Sequence, residues 1–224
     1  MISILGLMKK VRESPSRYLG EVSLDRLTAF LDGYVAACLE LGLASEIENV
    51  DYDKFDDWFR RKCDVKVRSF ISCISLIRLL ASSDAAVFTT FFQLIDEFCA
   101  EYGASAVRIS AHLETPEQSL SALLKEIRER PALHLGIASI TLFAEFLRGY
   151  KYARKELKAP PSVEEKWLED FQSWLPLRLN VHAKCSWDRV ILAFYRDERD
   201  ALKLFFDLFD EYLAKCVLPD SIAP

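Results

Sequence analysis

The sequence predicts an all-α protein: two tandem repeats of a roughly five-helix unit packed as a pseudo-symmetric helical bundle. Three observations point there. Glycine and proline are scarce, at 7 and 8 of 224 residues, while 51% of residues are hydrophobic. Apolar residues recur at helical spacing, as along Leu24, Leu27, Leu31, Tyr34, Cys38 and Leu41, which lines one face of a helix. Finally, the chain matches itself 116 positions on, where Pro15-Ser16-Arg17-Tyr18-Leu19-Gly20 returns as Pro131-Ala132-Leu133-His134-Leu135-Gly136.

The match extends in both directions. Leu7, Lys9, Arg12 and Glu13 correspond to Leu123, Lys125, Arg128 and Glu129. Ser23 corresponds to Ser139, and Phe30-Leu31-x-Gly33-Tyr34 to Phe146-Leu147-x-Gly149-Tyr150. Phe55 and Trp58 align with Phe171 and Trp174, Ser69-Phe70 with Ser186-Trp187, and Phe91-Phe92 through Phe98 with Phe205-Phe206 through Tyr212. The expected division is a first helical repeat over 1–103, a linker over 104–116 and a second repeat over 117–224.

Local signals set the elements. Ser23 and Ser139 are placed to cap the long helices, their side-chain oxygens accepting from free first-turn N–H groups. Ile140, Phe143, Leu147, Tyr150 and Leu157 repeat the first stripe, with Arg154 where Cys38 stands. Short helices are expected around 53–62 and 70–81, with partners near 164–175 and 187–195. Thr115-Pro116-Glu117-Gln118 and Ser162-Val163-Glu164-Glu165 have the form of capping boxes. Pro176 should end the helix that carries Trp174. The Pro-x-x-x-Leu-Gly segments read as turns between helices. Gly33 and Gly149, inside helices where glycine is costly, imply close backbone packing.

Composition narrows function. With 28% charged residues and this apolar content the chain is not disordered. A net charge of −5 and a pI near 5.4 argue against nucleic acid as a partner. No apolar run is long enough for a membrane span. The apolar start Met1–Met8 lacks the basic segment and cleavage site of a secretory signal, so a cytoplasmic protein is expected. Its six cysteines form no Cys-x-x-Cys pair and are expected to be reduced and packed as small hydrophobes.

Catalytic patterns are missing. There is no phosphate loop, and no Gly-x-Ser-x-Gly elbow. The stretch from Ile127 to Gly136 lacks the metal-binding Glu/Asn pair and Gly-rich lids of a gyrase-type ATPase. His182-x-x-Cys185 is half a zinc site with no second pair. His134 replaces a tyrosine, and His112 falls in the linker. The expectation is therefore no enzyme, no cofactor and no metal. One charge feature remains. Glu46, Glu48, Asp51, Asp53, Asp56 and Asp57 crowd a segment whose one lysine is Lys54, interleaved with aromatics. Phe55 and Trp58 should be core, because Phe171 and Trp174 match them. Tyr52, Phe59 and Trp167 have no aromatic match and are candidate surface anchors. Aromatic anchors ringed by charge make protein interfaces, and acidic patches speed encounter with basic partners.

The second half, from Leu123 to Leu213, carries Ile127-Arg128-Glu129-Arg130-Pro131, Leu135-Gly136, Ser139-Ile140, Phe146-Leu147-x-Gly149-Tyr150, Phe171-x-x-Trp174, Ser186-Trp187, Asp197-Glu198-Arg199-Asp200-Ala201 and Phe205-Phe206-x-Leu208-x-Asp210-Glu211-Tyr212. This pattern resembles a family of small bacterial proteins encoded beside polymorphic toxins of the Rhs, contact-dependent and type VI secretion kinds. The first half departs from it, with Ser14 for Arg130, Phe70 for Trp187 and no Asp-Glu-Arg-Asp. The resemblance implies an immunity protein that binds a cognate toxin catalytic domain, one to one, and occludes its active site. Carboxylates would there imitate substrate phosphates. The competing expectation is a helical adaptor or scaffold without catalytic activity.

Overall fold

The structure, a computed structural model, describes residues 1–64, 73–109, 119–182 and 184–217. It is mostly helical, with twelve α-helices and three short strands among the described residues. The chain divides into two compact units, Met1–Thr28 with Gly42–Thr115, and Ala29–Leu41 with Pro116–Pro224.

The first unit opens with β1 (Ile2–Ser3), α1 (Ile4–Glu13) and α2 (Pro15–Leu19), then the first turn of α3 (Leu24–Glu40). After a 3-10 turn come β2 (Ile47–Val50), α4 (Tyr52–Lys62), α5 (Cys73–Leu80), α6 (Asp84–Tyr102) and β3 (Val107–Ile109). The second unit holds the rest of α3, then α7 (Leu120–Glu129), α8 (Pro131–Leu135), α9 (Ile140–Glu156), α10 (Val163–Arg178), α11 (Trp187–Phe194) and α12 (Glu198–Tyr212).

The capping chemistry follows the sequence. The Ser139 hydroxyl accepts from the Leu142 N–H at 3.1 Å, and Ser23 from Arg26 at 3.5 Å. Ser162 and Glu165 close a reciprocal box, at 3.1 and 2.8 Å. The Thr115–Gln118 box, Ser69-Phe70 and His112 lie outside the described residues, and α7 is instead capped by Ser119, which accepts from Ala122.

Three expectations are corrected. The Pro-x-x-x-Leu-Gly segments are not bare turns but five-residue helices, α2 and α8. Proline sits at the first helical position, where no N–H is needed, and Gly20 and Gly136 end them at φ of 72° and 75°. Among the described residues six helices therefore precede residue 103 and six follow it, against the roughly five expected on each side. Pro176 does not stop α10, which runs on to Arg178; so near the C-terminus the missing N–H costs a single bond. The helical class holds, with three short strands beside the helices among the described residues. β2 pairs in parallel with β1 (Ile2↔Ile47) and antiparallel with β3 (Val50↔Val107). β3 thus falls in the stretch expected to be linker.

Each unit has an aromatic core. In the first, Phe55 is fully buried, with its ring centroid 5.5 Å from Phe98 and 5.8 Å from Trp58. In the second, Phe171 is likewise buried, 5.4 Å from both Phe205 and Phe209 and 5.8 Å from Trp174. Edge-to-face pairs of this kind add to the area term of about 1.5–3 kcal/mol per buried aromatic.

The second unit also contains the crossing of α3 with α9. A β-carbon on Gly33 would overlap the Phe146 carbonyl, and one on Gly149 would overlap the Phe30 carbonyl, so the two glycines let the backbones touch reciprocally. Beyond the crossing, Arg154 explains its break in the apolar stripe. Its guanidinium pairs with Glu40 at 3.2 Å and Glu165 at 2.9 Å and donates to the Pro160 carbonyl at 2.6 Å. Glu40 also accepts from the Tyr150 hydroxyl and from the Leu120 N–H. Burial and the adjacent carboxylate push the Tyr150 phenol well above its ordinary range, which keeps it a donor. The Tyr34 phenol is raised in the same way by burial and by Glu156, to which it donates at 2.9 Å.

Candidate functional site

The acidic segment is a strand, a cap and a helix rather than one continuous face. Ile47 and Val50 turn into the core from β2, leaving Glu48 half-buried between them. Asp51 is buried as the N-cap of α4, where its carboxylate accepts from the Lys54 N–H at 3.2 Å. Asp56 pairs with Arg60 at 2.5 Å along the same helix. Glu46 lies 3.8 Å from the N-terminal ammonium. Asp53 and Asp57, one turn apart, are exposed.

Of the aromatic anchors, Phe59 is corrected outright: it is fully buried and stacks on Phe55 at 6.3 Å. The residue 116 positions on is Leu175, also fully buried, so both positions are apolar core without an aromatic match. Tyr52 is half-buried, its hydroxyl 4.0 Å from the Met8 sulfur. Phe55 and Trp58 are core, as expected. The structure brings Tyr52 and the six acids together in the first unit, while Trp167 belongs to the second.

The second unit carries a surface that the acid count did not anticipate. An open cavity of about 620 Å³ lies between the α7–α8 corner, the α8–α9 loop and the first two turns of α12. Its floor is apolar, with Pro131, Leu202 and Phe206. Leu133 and Ile137 stand at its mouth, 72% and 60% exposed. Arg128, Arg130, Arg199 and Lys203 surround it, against the carboxylates of Glu129 and Asp207. Four cations and two carboxylates thus line it, on a chain of net charge −5.

The wall is fixed by local chemistry. Glu198, at the start of α12, accepts from the Ser139 hydroxyl at 2.8 Å and from the Thr141 hydroxyl and N–H at 2.7 and 3.0 Å. That clamp locks the entry of α9 to the entry of α12. Arg128 lies over the Phe206 ring at 5.6 Å and pairs with Asp210 at 2.6 Å. Lys203 pairs with Asp200 at 3.2 Å. Arg130 and Arg199 make no side-chain ion pair among the described residues and point their charge at solvent.

A smaller cavity of about 210 Å³ adjoins the first, sharing Arg128 and Phe206 as lining and bounded on its far side by Trp167, Glu164 and Ser121. Trp167, half-exposed, therefore lies on the same side of the second unit as the larger cavity. The residues that make this surface were legible only as differences between the two halves of the sequence. At the matching positions the first half has Ser14, Arg17, Glu21, Ala85 and Thr89 in place of Arg130, Leu133, Ile137, Arg199 and Lys203.

The remaining candidates are isolated. His134 is half-buried on α8, its ring nitrogen 3.5 Å from Glu126. His182 and Cys185 are exposed, and among the described residues no group of three or more His, Cys, Asp or Glu side chains is gathered as a metal site. Cys38, Cys63, Cys73, Cys99 and Cys185 are free thiols. Packing as a buried hydrophobe holds for Cys38, whose thiol burial pushes up to about 12, but Cys63 and Cys185 are exposed because they fall at the end of α4 and in the loop before α11. No described helix is long and apolar enough to cross a membrane. Comparison with protein-family models, with curated proteins and with solved structures finds no match for this chain.

Proposed function

We propose that this chain is an immunity-type inhibitor, built from two copies of one helical unit, that binds a toxin catalytic domain and blocks its active site. The duplication is supported by the parallel order and length of the helices. α1 and α7 both have 10 residues, α2 and α8 both 5, α3 and α9 both 17, and α5 and α11 both 8. Paired devices support it too: Arg12 lies over Phe92 and pairs with Asp96, as Arg128 does with Phe206 and Asp210.

The observation that carries the binding role is the exposed edge of α4. Phe55, Trp58 and Phe59 are sunk in the core and hold the helix in one orientation, while Asp53 and Asp57 face solvent. A rigid row of carboxylates of this kind presents negative charge at fixed spacing, the feature needed to occupy a phosphate-binding active site and to accelerate encounter with a basic surface. Glu46, Glu48 and Tyr52 extend the edge, and its partner is a toxin domain with a basic active-site rim.

Co-expression with the product of the neighbouring toxin gene tests the reading. A complex should co-purify and cell growth should be rescued. Asp53→Ser with Asp57→Ser should slow association several-fold at low salt and less at high salt. Absence of both complex and rescue would reject the inhibitor role. Unchanged association at every salt concentration would reject this edge as its contact.

A further inference from the structure

We infer that the cavity at the α7–α8 corner is a docking groove for an acidic, apolar peptide segment of a partner protein. The inference goes beyond the inhibitor proposal: it concerns the other unit and does not rest on the α4 edge.

Two independent observations define the occupant. The apolar part is set by Leu133 and Ile137, which leave most of their side chains in water at the mouth of a cavity floored by Pro131, Leu202 and Phe206. Two large aliphatic side chains exposed side by side at a concave site mark a surface that is covered in use. The charged part is set by complementarity. Arg128 and Lys203 are already neutralised within the unit by Asp210 and Asp200, whereas Arg130 and Arg199 flank the cavity without an ion pair among the described residues. Two guanidinium groups lining an apolar cavity fit carboxylates beside leucine-like side chains, and arginine forks pair with carboxylates bidentately.

The volume of about 620 Å³ would hold two or three large side chains. A peptide also covers the mouth outside that volume, which a small amphiphile enclosed in the cavity would leave wet. The clamp of Glu198 on Ser139 and Thr141 holds both walls in place before anything binds, so little ordering is needed on docking.

The first half provides the control. Its matching corner has the same Pro-x-x-x-Leu-Gly helix and the same Arg-over-Phe contact, yet Arg17 replaces Leu133 and Glu21 replaces Ile137, with Glu21 paired to Arg26 at 2.9 Å. Ser14 and Ala85 replace the two flanking arginines. The scaffold therefore tolerates a corner without the two exposed aliphatic side chains and the two flanking arginines, and these residues of the second half are not required by the fold.

The test uses the full chain and a fluorescently labelled amphipathic peptide with leucines on one face and glutamates on the other. The peptide should bind saturably, with affinity falling as salt rises. The variant Leu133→Arg, Ile137→Glu should weaken binding tenfold or more, and Arg130→Ser, Arg199→Ala should weaken it several-fold and flatten the salt dependence. Both install residues that the first half already carries, and an unchanged Tm verifies that they fold; the single Ile137→Glu variant serves if the double one does not. Asp53→Ser with Asp57→Ser should leave peptide binding untouched, which separates this inference from the inhibitor proposal. Equal binding of a peptide with lysine in place of glutamate, equal binding by the variants, or saturable binding of dodecanoate without binding of the peptide would each overturn it.

Discussion

The α1–α2 corner of the first unit and the α7–α8 corner of the second have the same skeleton and different surfaces. In both, an arginine lies over a phenylalanine and pairs with an aspartate one turn further along the last helix. In both, a five-residue helix begins at proline and ends at a glycine of positive φ. The outer side chains then diverge, from Arg17 and Glu21 in one to Leu133 and Ile137 in the other. The shared residues are those that fold the corner, and the divergent ones are those that face water. Where the two halves agree, packing explains the agreement; where they differ at an exposed position, the difference is information about what each surface meets.

Changes at the glycine crossing should break the comparison most severely. Gly33→Ala and Gly149→Ala each drive a β-carbon into the facing backbone, which no side-chain rotation relieves. Each should cost about 3 kcal/mol or more, in similar measure, as read by urea denaturation. Arg154→Met should follow closely at about 3 kcal/mol, since Glu40 and Glu165 would be left without their shared cation. The residue 116 positions earlier, Cys38, is an apolar packing group, so Cys38→Ala should cost less, about 1–2 kcal/mol in the same measurement.

Glu198→Ala sharpens the contrast between the corners. It removes three hydrogen bonds that tie α9 to α12 and should lower stability by about 1–3 kcal/mol. Asp84, at the equivalent start of α6, is exposed, and Asp84→Ala should be close to neutral. The smallest effect is electrostatic. Arg178 and Lys215 hold the Glu211 carboxyl down to about 2. A depressed carboxyl stabilises the fold above its unfolded pKa near 4.3, and that contribution fades as pH falls from there toward 2. Arg178→Ala should raise the Glu211 midpoint in an NMR titration and shrink the acid-side slope of stability. Lys62 and Glu97 form the corresponding pair in the first unit, at 2.7 Å.

Most of the helical layout was legible because periodicity and caps act locally. Ser139, Ser162 and Glu165 sit where the chain needs side-chain acceptors, and no distant contact is required to place them. The strands were not legible, since β1, β2 and β3 have 2, 4 and 3 residues, too few for an alternation to register. α2 and α8 escaped for the same reason of length. At the acidic segment, charge counting found the carboxylates but not their partners: Asp51 is spent on a helix cap and Asp56 on Arg60. The burial of Phe59 is not legible from aromatic matching, because the residue 116 positions on, Leu175, is an aliphatic core side chain. The groove escaped because Leu133 and Ile137 look like ordinary core residues until their exposure is known.

Residues 29–41 lie in the first half of the sequence yet belong to the second compact unit, where they supply Gly33 and Glu40. Cut at residue 117, the second half loses part of its own compact unit. Expressed from there it would lack Glu40, one of the two carboxylates that pair with Arg154, and adding residues 29–41 in trans as a synthetic helix should restore its cooperative melting.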